Sequence, residues 1–383
     1  MIVDLPPLAL YAHIPWCVRK CPYCDFNSHQ VRGEIPEARF INALLRDLEQ
    51  DLTPTDGRPL TSIFIGGGTP SLLSGAAITR LLGGIRDRCP CLPDLEVTLE
   101  ANPGTAEADR FAAYRAAGVN RLSLGVQSFG PPQLQALGRI HSAAEASNAV
   151  ALARAAGFAN LNLDLMFGLP GQTLAGAVQD LAMALDLEPE HISYYQLTLE
   201  PNTPFYQAPP PLPDEDRIWE IQEQGQALLA TLGFAHYEVS AYARTGRRCR
   251  HNLNYWQFGD YIGIGPGAHG KLTHPDGQVY RNWKPRHPDA YLGHLPDGPF
   301  RAGQRLLRQT DLVEEFLLNA LRLREGFALA LFQTRTGLDR HMLEPGLKRA
   351  QAAGLAEMNG EWVCATPLGY NFLNRLLLLF STS

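Results

Sequence analysis

Three cysteines lie close together near the start of the chain. Cys17, Cys21 and Cys24 occupy the segment HIPWCVRKCPYCDF in the pattern C-x3-C-x2-C. Three thiolates can hold three irons of a cubic [4Fe–4S] cluster and leave the fourth iron open to a small molecule. A cluster that only carries electrons normally has four cysteine ligands, but Phe26 stands two residues after Cys24. The loop therefore predicts a cluster with a ligand-binding iron.

Two other uses of these cysteines agree less well with the sequence. A structural zinc ion needs four ligands, and the flanking His13 and His29 lack a zinc-finger spacing to the cysteines. A disulfide would leave one of the three thiols unpaired. The cluster is the preferred interpretation, with zinc and simple structural cysteines as alternatives.

Composition places the chain among ordinary globular proteins. Its 383 residues, 45% hydrophobic and 19% charged, suit one large domain plus a smaller one. Seven cysteines, an odd number, favour a reducing compartment, and MIVDLPPLAL lacks the features of a signal peptide, so we expect a cytoplasmic protein. A net charge of −6 argues against nucleic acid as a partner.

From Leu8 to Leu197 the sequence alternates strand-like and helix-like segments. Apolar runs predict six strands: Leu8–Ile14, Ser62–Ile65, Glu96–Leu99, Arg121–Val126, Asn160–Met166 and His191–Leu197. Apolar residues at every third or fourth position predict five helices: Pro36–Leu52, Ala76–Arg88, Ala106–Ala117, Ala143–Ala156 and Leu174–Leu187. This alternation indicates an α/β fold with parallel strands and right-handed crossovers.

Polar residues and glycines follow several of these strands. Gly66–Gly68 permits close backbone approach to a ligand, and Glu100, Gln127 and Asp164 offer acceptors for ammonium and hydroxyl groups. Arg139 could pair with a carboxylate. Each feature alone has a structural explanation, such as a turn or a helix cap. Because strand ends meet at one rim of a barrel, together they predict binding of a zwitterionic nucleoside beside the cysteine loop.

These motifs resemble the radical S-adenosylmethionine (SAM) superfamily, and within it the family of oxygen-independent coproporphyrinogen III oxidase. The motifs are YAHIPWCVRKCPYCDF, FIGGGTPS, EANP, GVQSF, LGRIH and NLDLMFGLPGQT. The resemblance implies a partial (β/α)6 TIM-like barrel, a [4Fe–4S] cluster on Cys17, Cys21 and Cys24, and SAM bound to the open iron. It further implies the residues that line SAM: Tyr11, Tyr23, Gly67, Gly68, Thr69, Glu100, Gln127, Arg139 and Asp164.

Two features separate the chain from the oxidase. Phe26 replaces a fourth cysteine, and only ten residues precede Tyr11, where the oxidase has a longer N-terminal arm. A heme-chaperone branch of the family shares both features, and its HNxxYW motif matches HNLNYW at 251–256. The resemblance therefore implies a heme chaperone that delivers heme to respiratory-chain hemoproteins at the membrane, with peripheral membrane association. Coproporphyrinogen III oxidase activity in porphyrin biosynthesis is the alternative.

The same segment contains groups suited to heme. His251 can offer an imidazole nitrogen to the iron, and Tyr255 and Trp256 can stack on the macrocycle. Cys249 is a rival ligand, since flanking arginines would favour its thiolate. Candidates for contacts with the propionates are Arg247, Arg248 and Arg250.

The pattern changes after Leu306. Predicted helices are followed by a hairpin with Asn359-Gly360 at its turn and a last helix, and together they favour a smaller winged-helix-like α+β domain that packs or docks a partner. The predicted helices are Asp311–Leu323, Ala328–Thr336, Met342–Ala353 and Gly369–Phe380. We divide the chain into a barrel core at 1–235, an extension with the HNxxYW motif at 236–305, and this domain at 306–383. An exposed cluster with an open iron could bridge two subunits, so a homodimer is a further expectation.

Overall fold

The computed structural model describes residues 4–105, 108–293 and 298–380. The strands within them are β1 Leu8–Ile14, β2 Trp16–Cys17, β3 His29–Gln30, β4 Leu60–Gly67, β5 Cys91–Ala101, β6 Arg121–Gln127, β7 Leu161–Phe167, β8 His191–Gln196, β9 Ala235–Glu238, β10 Ala241–Ala243, β11 Asp260–Ile264, β12 His269–Thr273, β13 Val279–Trp283, β14 Gly303–Leu306, β15 Phe327–Ala328, β16 Ala356–Asn359 and β17 Trp362–Ala365. The helices are α1 Glu37–Asp51, α2 Gly75–Arg86, α3 Ala108–Ala117, α4 Pro131–Ala136, α5 Ala143–Ala155, α6 Leu174–Asp186, α7 Pro204–Gln207, α8 Glu215–Thr231, α9 Arg250–Trp256, α10 Pro288–Gly293, α11 Gln309–Ala320, α12 Leu329–Thr336, α13 Glu344–Ala352, α14 Pro367–Asn371 and α15 Leu373–Leu378.

A twelve-stranded sheet forms the centre of the part of the chain described here. Its strand order is β14-β13-β12-β11-β1-β4-β5-β6-β7-β8-β10-β9. The seven strands from β11 to β8 are parallel, whereas the strands at both edges continue the sheet antiparallel. The first and last strands are not paired with each other in this order, so the barrel is open. The predicted partial (β/α)6 barrel is confirmed, and its six strands are β1 and β4 to β8.

The parallel strands are buried on both faces because helices cover them. The helix α1 turns Phe40, Leu44 and Leu48 inward, and all three are fully buried in the main core. Side-chain caps define where several helices begin, as Ser142 does for α5 through a capping box with Glu145. The predicted helices of the barrel are confirmed to within two residues at each described end. Positions 106 and 107 of the predicted helix Ala106–Ala117 lie outside the described residues.

A second hydrophobic core lies in the C-terminal part of the chain. There, α11 to α13 pack with a three-stranded sheet, and the predicted hairpin is confirmed as β16 and β17, with Gly360 at a φ of 63°. The prediction of one last helix over Gly369–Phe380 is wrong. Phe372 leaves the helical conformation and separates α14 from α15, which lets the fully buried Leu376 reach the second core.

Within the described residues, the main sheet contains six strands beyond the six that the sequence predicts, and they lie at its two edges. The parallel strand β11 lies beside β1, and β12 to β14 follow it outward. The division of the chain into three segments, with boundaries after residues 235 and 305, stays a prediction. None of the helices in the described ranges is both long enough and apolar enough to cross a bilayer.

Candidate functional site

A cavity of about 500 Å³ opens among the carboxyl ends of the parallel strands and the cysteine loop. Its volume falls within the range of small-molecule sites. The structure brings eleven of the thirteen predicted site residues to its wall: Cys17, Cys21, Tyr23, Cys24, Gly67, Gly68, Thr69, Glu100, Gln127, Arg139 and Asp164. Tyr11 and His251 are the two that do not line it.

The cysteine loop begins at the end of β2 and is anchored at both sides. His29 N–H donates to the carbonyl of Pro15 at 2.7 Å, and Val31 N–H donates to that of Cys17 at 2.9 Å. From within the loop, the side-chain Nδ2 of Asn27 donates to the carbonyl of Pro266 at 2.8 Å. These contacts close the loop between β2 and β3 and fix it to the segment after β11.

All three thiols are free and partly buried, and two of them have a polar neighbour. Arg139 Nη1 lies 3.8 Å from Cys21 Sγ, and Ser28 Oγ lies 3.8 Å from Cys24 Sγ. Burial raises the pKa of the Cys17 and Cys24 thiols, so a thiolate in the loop needs a positive partner. A metal cluster provides such a partner, and donors to sulfur are typical of iron–sulfur sites.

The described side chains do not favour a zinc ion at this loop. No three His, Cys, Asp or Glu side chains in these ranges converge as the ligands of a single metal ion. Ligands about 2.3 Å from one zinc ion would have to converge. A structural zinc ion needs four ligands, whereas a cubic cluster can bind three cysteines at separate corners, so the three-thiol donor set fits a cluster better than zinc.

The glycine-rich loop after β4 lies directly against the entry to the cysteine loop. Gly68 N–H donates to the carbonyl of Ile14, and Thr69 N–H to that of Trp16, both at 2.7 Å. A Cβ on Gly68 would lie 2.5 Å from the Trp16 oxygen. Gly67 has a φ of 116°, a conformation that favours glycine. The loop therefore needs glycine for this close backbone contact.

Glu100 and Asp164 supply the acidic side of the cavity. Burial, and secondarily the charge of Asp164, raises the pKa of Glu100 to about 7. The Glu100 carboxylate accepts a hydrogen bond from Gly67 N–H at 2.9 Å. Burial also raises the pKa of Asp164, which accepts hydrogen bonds from Ser123 and Asn162 at 3.0 and 2.8 Å. Two carboxyl groups with perturbed pKa values in one cavity mark a candidate functional site, and their ionised forms can bind a cationic group.

Gln127 and Arg139 form the neighbouring wall. Gln127 has a φ of 70°, which is strained for a residue with a side chain, and its side-chain oxygen Oε1 accepts a hydrogen bond from the Tyr195 hydroxyl at 2.8 Å. Arg139 donates through Nη2 to the carbonyl of Gly125 at 2.5 Å. The guanidinium is thereby held between β6 and the cysteine loop.

Tyr11 supports the site from behind its wall. Its hydroxyl donates to His13 Nδ1 at 2.9 Å, and His13 Nε2 donates to the carbonyl of Asn27 at 2.9 Å. The sequence-based expectation that Tyr11 lines the SAM site therefore differs from its position in this structure. Through His13, the Tyr11 hydroxyl instead links strand β1 of the barrel to Asn27 in the cysteine loop.

The segment with the HNxxYW pattern forms α9. The pair His251 and Tyr255 faces the interior, whereas the pair Asn252 and Trp256 faces the cavity. His251 is 1% exposed, with Nδ1 bonded to Ser62 Oγ at 3.0 Å and Nε2 bonded to the Tyr255 hydroxyl at 2.9 Å. Burial lowers the pKa of His251 to about 3. Asn252 and Trp256, also four residues apart, line the cavity. Binding of heme iron by His251 stays a prediction, and it requires one of these two hydrogen bonds to break.

The thiol of Cys249, the rival heme ligand, lies in a buried environment, whereas its neighbouring arginines suggest a charged one. It is fully buried, and burial raises the pKa of its thiol to about 12, so the expectation of a stabilised thiolate is wrong. The neighbouring arginine side chains are engaged elsewhere. Arg248 pairs with Glu325 at 3.1 Å and Arg250 with Asp94 at 2.9 Å.

Sequence reasoning missed one wall of the cavity. Glu238 and Ser240 come from the antiparallel edge of the sheet, and Arg322 comes from the segment after α11. No short motif marks these positions, because the fold brings them together from distant parts of the chain. Ser123 and Ser193 could have been found, since each stands two residues before another cavity residue of its strand, Gly125 on β6 and Tyr195 on β8, and residues two apart on a strand share a face.

Comparison with known protein families agrees with this architecture. Residues 11–184 match the model of the radical SAM superfamily, and residues 307–372 match the HemN C-terminal domain. In fold, the chain is similar to the solved structure of coproporphyrinogen III oxidase (HemN) from Escherichia coli, with a TM-score of 0.84 and 22% identity. That alignment covers 99% of this chain and 91% of the other.

Similarity in sequence is higher to another group of relatives. The chain is 52% identical to the heme chaperone HemW of Escherichia coli (strain K12) over 379 residues, 99% of both chains. It is 38% identical to the heme chaperone HemW of Mycobacterium tuberculosis (strain ATCC 25618 / H37Rv), covering 95% of this chain and 92% of that one. A mouse protein, radical S-adenosyl methionine domain-containing protein 1, mitochondrial, is 40% identical, covering 82% and 73%. The chain therefore belongs to the HemW family within the radical SAM superfamily.

Proposed function

We propose that the protein is a heme chaperone that holds a [4Fe–4S] cluster and SAM and delivers heme to respiratory-chain hemoproteins. The observation that carries the proposal is the cavity, because it unites the three-thiol loop with the glycine loop and the acidic pair. The membership of the HemW family supports the heme part. The proposed binding of heme follows from the similarity to relatives named heme chaperone. The proposed respiratory-chain recipients are inferred from the same resemblance.

Cys17, Cys21 and Cys24 would hold the cluster, which when bound supplies an electron to its SAM ligand. The other wall residues have separate tasks. Glu100 and Asp164 would accept hydrogen bonds from the ammonium and hydroxyl groups of SAM, and the adjacent Gly67 and Gly68 leave that part of the wall without side chains. Arg139 keeps a positive charge beside the Cys21 sulfur.

Phe26 favours a chaperone over the alternative function, an oxygen-independent coproporphyrinogen III oxidase. Its side chain lines the cavity mouth and is 58% exposed. A fourth cysteine at this position would offer a further thiolate, whereas phenylalanine offers an apolar ring to a flat hydrophobic ligand. We further propose a cytoplasmic protein that associates peripherally with the membrane, and a homodimer as its assembly.

Heme titration of the anaerobically reconstituted protein tests this proposal. We expect saturable binding with a stable absorption band in the Soret region. His251→Ala tests the predicted ligand, and Asn252→Ala on the cavity side of α9 is its matched comparison. If His251 binds the iron, only its variant changes the spectrum of the bound heme; an unchanged spectrum removes His251 as the ligand. Absence of saturable heme binding by the unmodified protein would refute the chaperone proposal.

A further inference from the structure

One wall of the cavity contains a cation supplied by the C-terminal part of the chain. Arg322, two residues after the end of α11, donates from Nη2 to the Glu238 carboxylate at 3.1 Å. Its guanidinium carbon lies 4.3 Å from the centre of the Trp256 ring. All three side chains line the cavity, and that of Arg322 is 29% exposed. The charge is therefore accessible from the cavity.

This wall adjoins α9, whose first turn contacts β5 below the carboxyl rim. The first turn of α9 donates two backbone hydrogen bonds to Glu96 on β5, at 3.1 Å from Arg250 and 3.0 Å from His251. Glu100, on the same strand, stands at the carboxyl rim beside the glycine loop. Four residues of strand span roughly 13 Å. A carboxylate bound at the cluster beside the rim therefore does not reach the first turn of α9.

Hydrogen bonding at this wall is incomplete among the described groups. Arg322 Nε and Trp256 Nε1 are buried without a hydrogen-bond partner. Burying a donor without an acceptor is unfavourable, so a ligand acceptor that a small side-chain shift brings within reach of these donors is favoured. Glu238 occupies only Nη2 of the guanidinium. Its own burial raises the pKa of the Glu238 carboxyl, which weakens its competition for the cation.

The other cations of the cavity wall are committed elsewhere or lie at its mouth. Among described residues that line the cavity, the positively charged side chains are Arg19, Arg139 and Arg322. Arg139 is held at the cysteine loop by Cys21 and the Gly125 carbonyl, and Arg19 is an exposed residue of that same loop. Arg322 is thus the cation that serves the α9 side.

We propose that Arg322 is the anchor for a carboxylate of a tetrapyrrole, that is, a propionate of the bound heme, with Trp256 as the aromatic surface beside it. This inference rests on the proposed function and adds to it the group that orients the heme. Arginine favours a carboxylate because its planar fork can donate two parallel hydrogen bonds. Glu238 holds the guanidinium in place before the ligand arrives. The C-terminal segment thereby contributes directly to the cavity.

A comparison of two ligands tests the anchor. Heme and heme dimethyl ester differ in their propionates, which are charged in the first and capped in the second. We expect Arg322→Gln to weaken heme binding roughly 10-fold or more, as a charge-assisted hydrogen bond of about 1.5–3 kcal/mol implies. The same variant should leave the affinity for the dimethyl ester unchanged. Arg322→Lys keeps the charge but not the planar fork of donors, so its heme affinity should lie between those of the unmodified protein and Arg322→Gln.

The matched control is Arg324→Gln, two residues along the same segment. Arg324 stacks on Tyr370 at 4.4 Å and does not line the cavity, so its variant should bind both ligands as the unmodified protein does. Thermal unfolding of each variant checks that the fold is retained. SAM affinity should be unaffected by Arg322→Gln, since we assign its carboxylate to the other side of the cavity.

Each contrary result has a distinct meaning. Equal losses for heme and its dimethyl ester, or no loss for either, overturn the anchor while leaving heme binding established. A fall in SAM affinity with unchanged heme affinity also overturns it, because the carboxylate would then belong to SAM. If the unmodified protein binds neither porphyrin saturably, the proposed function fails and the anchor fails with it.

Discussion

The pH dependence of SAM binding should report the ionisation of Glu100. The perturbation is a change of pH from 8 to 6 on the cluster-containing protein, together with the variant Glu100→Gln. Glu100 lines the cavity, and burial raises its pKa to about 7. A cationic ammonium binds the ionised carboxylate, so below this pKa the carboxyl must release a proton before the ligand can bind.

The magnitude follows from that pKa. With a value near 7 in the free protein, about half of the Glu100 carboxyls are protonated at neutral pH. Between pH 8 and pH 6 the ionised fraction falls about tenfold, so the affinity for SAM should fall about tenfold, or roughly 1.4 kcal/mol. Glu100→Gln should bind SAM weakly at both values of pH and should remove most of this dependence.

Isothermal titration calorimetry in buffers of different ionisation enthalpy is the suitable assay. The unmodified protein should release up to one proton per bound SAM near pH 6 and almost none at pH 8. Glu223→Gln, at an exposed position of α8, is the control and should behave as the unmodified protein. A SAM affinity that stays constant from pH 6 to pH 8, with no proton release, would refute the role assigned to Glu100.

The same ionisation should affect the stability of the protein without its cofactors. The pKa of Glu100 is raised in the folded state from 4.5 to about 7, so the folded state binds the proton more tightly. Stability is therefore highest below pH 4.5 in this one contribution and falls as the pH rises to 7. The full shift would correspond to about 3 kcal/mol, and water in the cavity reduces it. In chemical denaturation at pH 5 and pH 8, Glu100→Gln should show a smaller difference than the unmodified protein.

Three further changes test other parts of the site. Gly67→Ala should destabilise the fold by on the order of 2 kcal/mol or more in chemical denaturation, because its Cβ would lie 2.5 Å from the His13 ring. Gly157→Ala, at a φ of 85° and with no atom within 4 Å of the added Cβ, should cost only about 1 kcal/mol, and equal costs would contradict this. Arg139→Gln should make the reduction potential of the cluster more negative, by on the order of tens of millivolts, because a positive charge 3.8 Å from Cys21 Sγ is lost. Potentiometric EPR without SAM measures this shift, and an unchanged potential would show that Arg139 does not tune the cluster. Cys249 should resist iodoacetamide in the native cluster-free protein, because it is buried with a pKa of about 12, and rapid labelling found by mass spectrometry would show that the segment opens.

Local patterns were sufficient to predict the parallel core and most of the cavity wall. Each strand from β4 to β7 ends in a motif whose side chains point to one rim, so sequence order and strand direction together bring Gly67, Glu100, Gln127 and Asp164 into one cavity. The resemblance to a known family supplied what the geometry alone leaves open, namely the ligand expected there. The motif of α9 was also visible in the sequence.

Orientation and distant contacts could not be predicted in the same way. A seven-residue helix with polar residues on several sides does not reveal that His251 points inward to Ser62 while Trp256 faces the cavity. Arg322 reaches the cavity only because the C-terminal core packs beside β9, a contact with a sequence separation of 84 residues to Glu238. The exposed arginines beside Cys249 likewise suggested a charged environment, whereas folding buries the thiol and turns those side chains to surface carboxylates.

The most direct test of the heme-chaperone account is one anaerobically reconstituted sample divided between two measurements. One half is titrated with heme, and the other is assayed with reductant, SAM and coproporphyrinogen III. The account predicts saturable, stable heme binding in the first half and no protoporphyrinogen IX in the second. Formation of protoporphyrinogen IX without stable heme binding would contradict it and establish the oxidase instead.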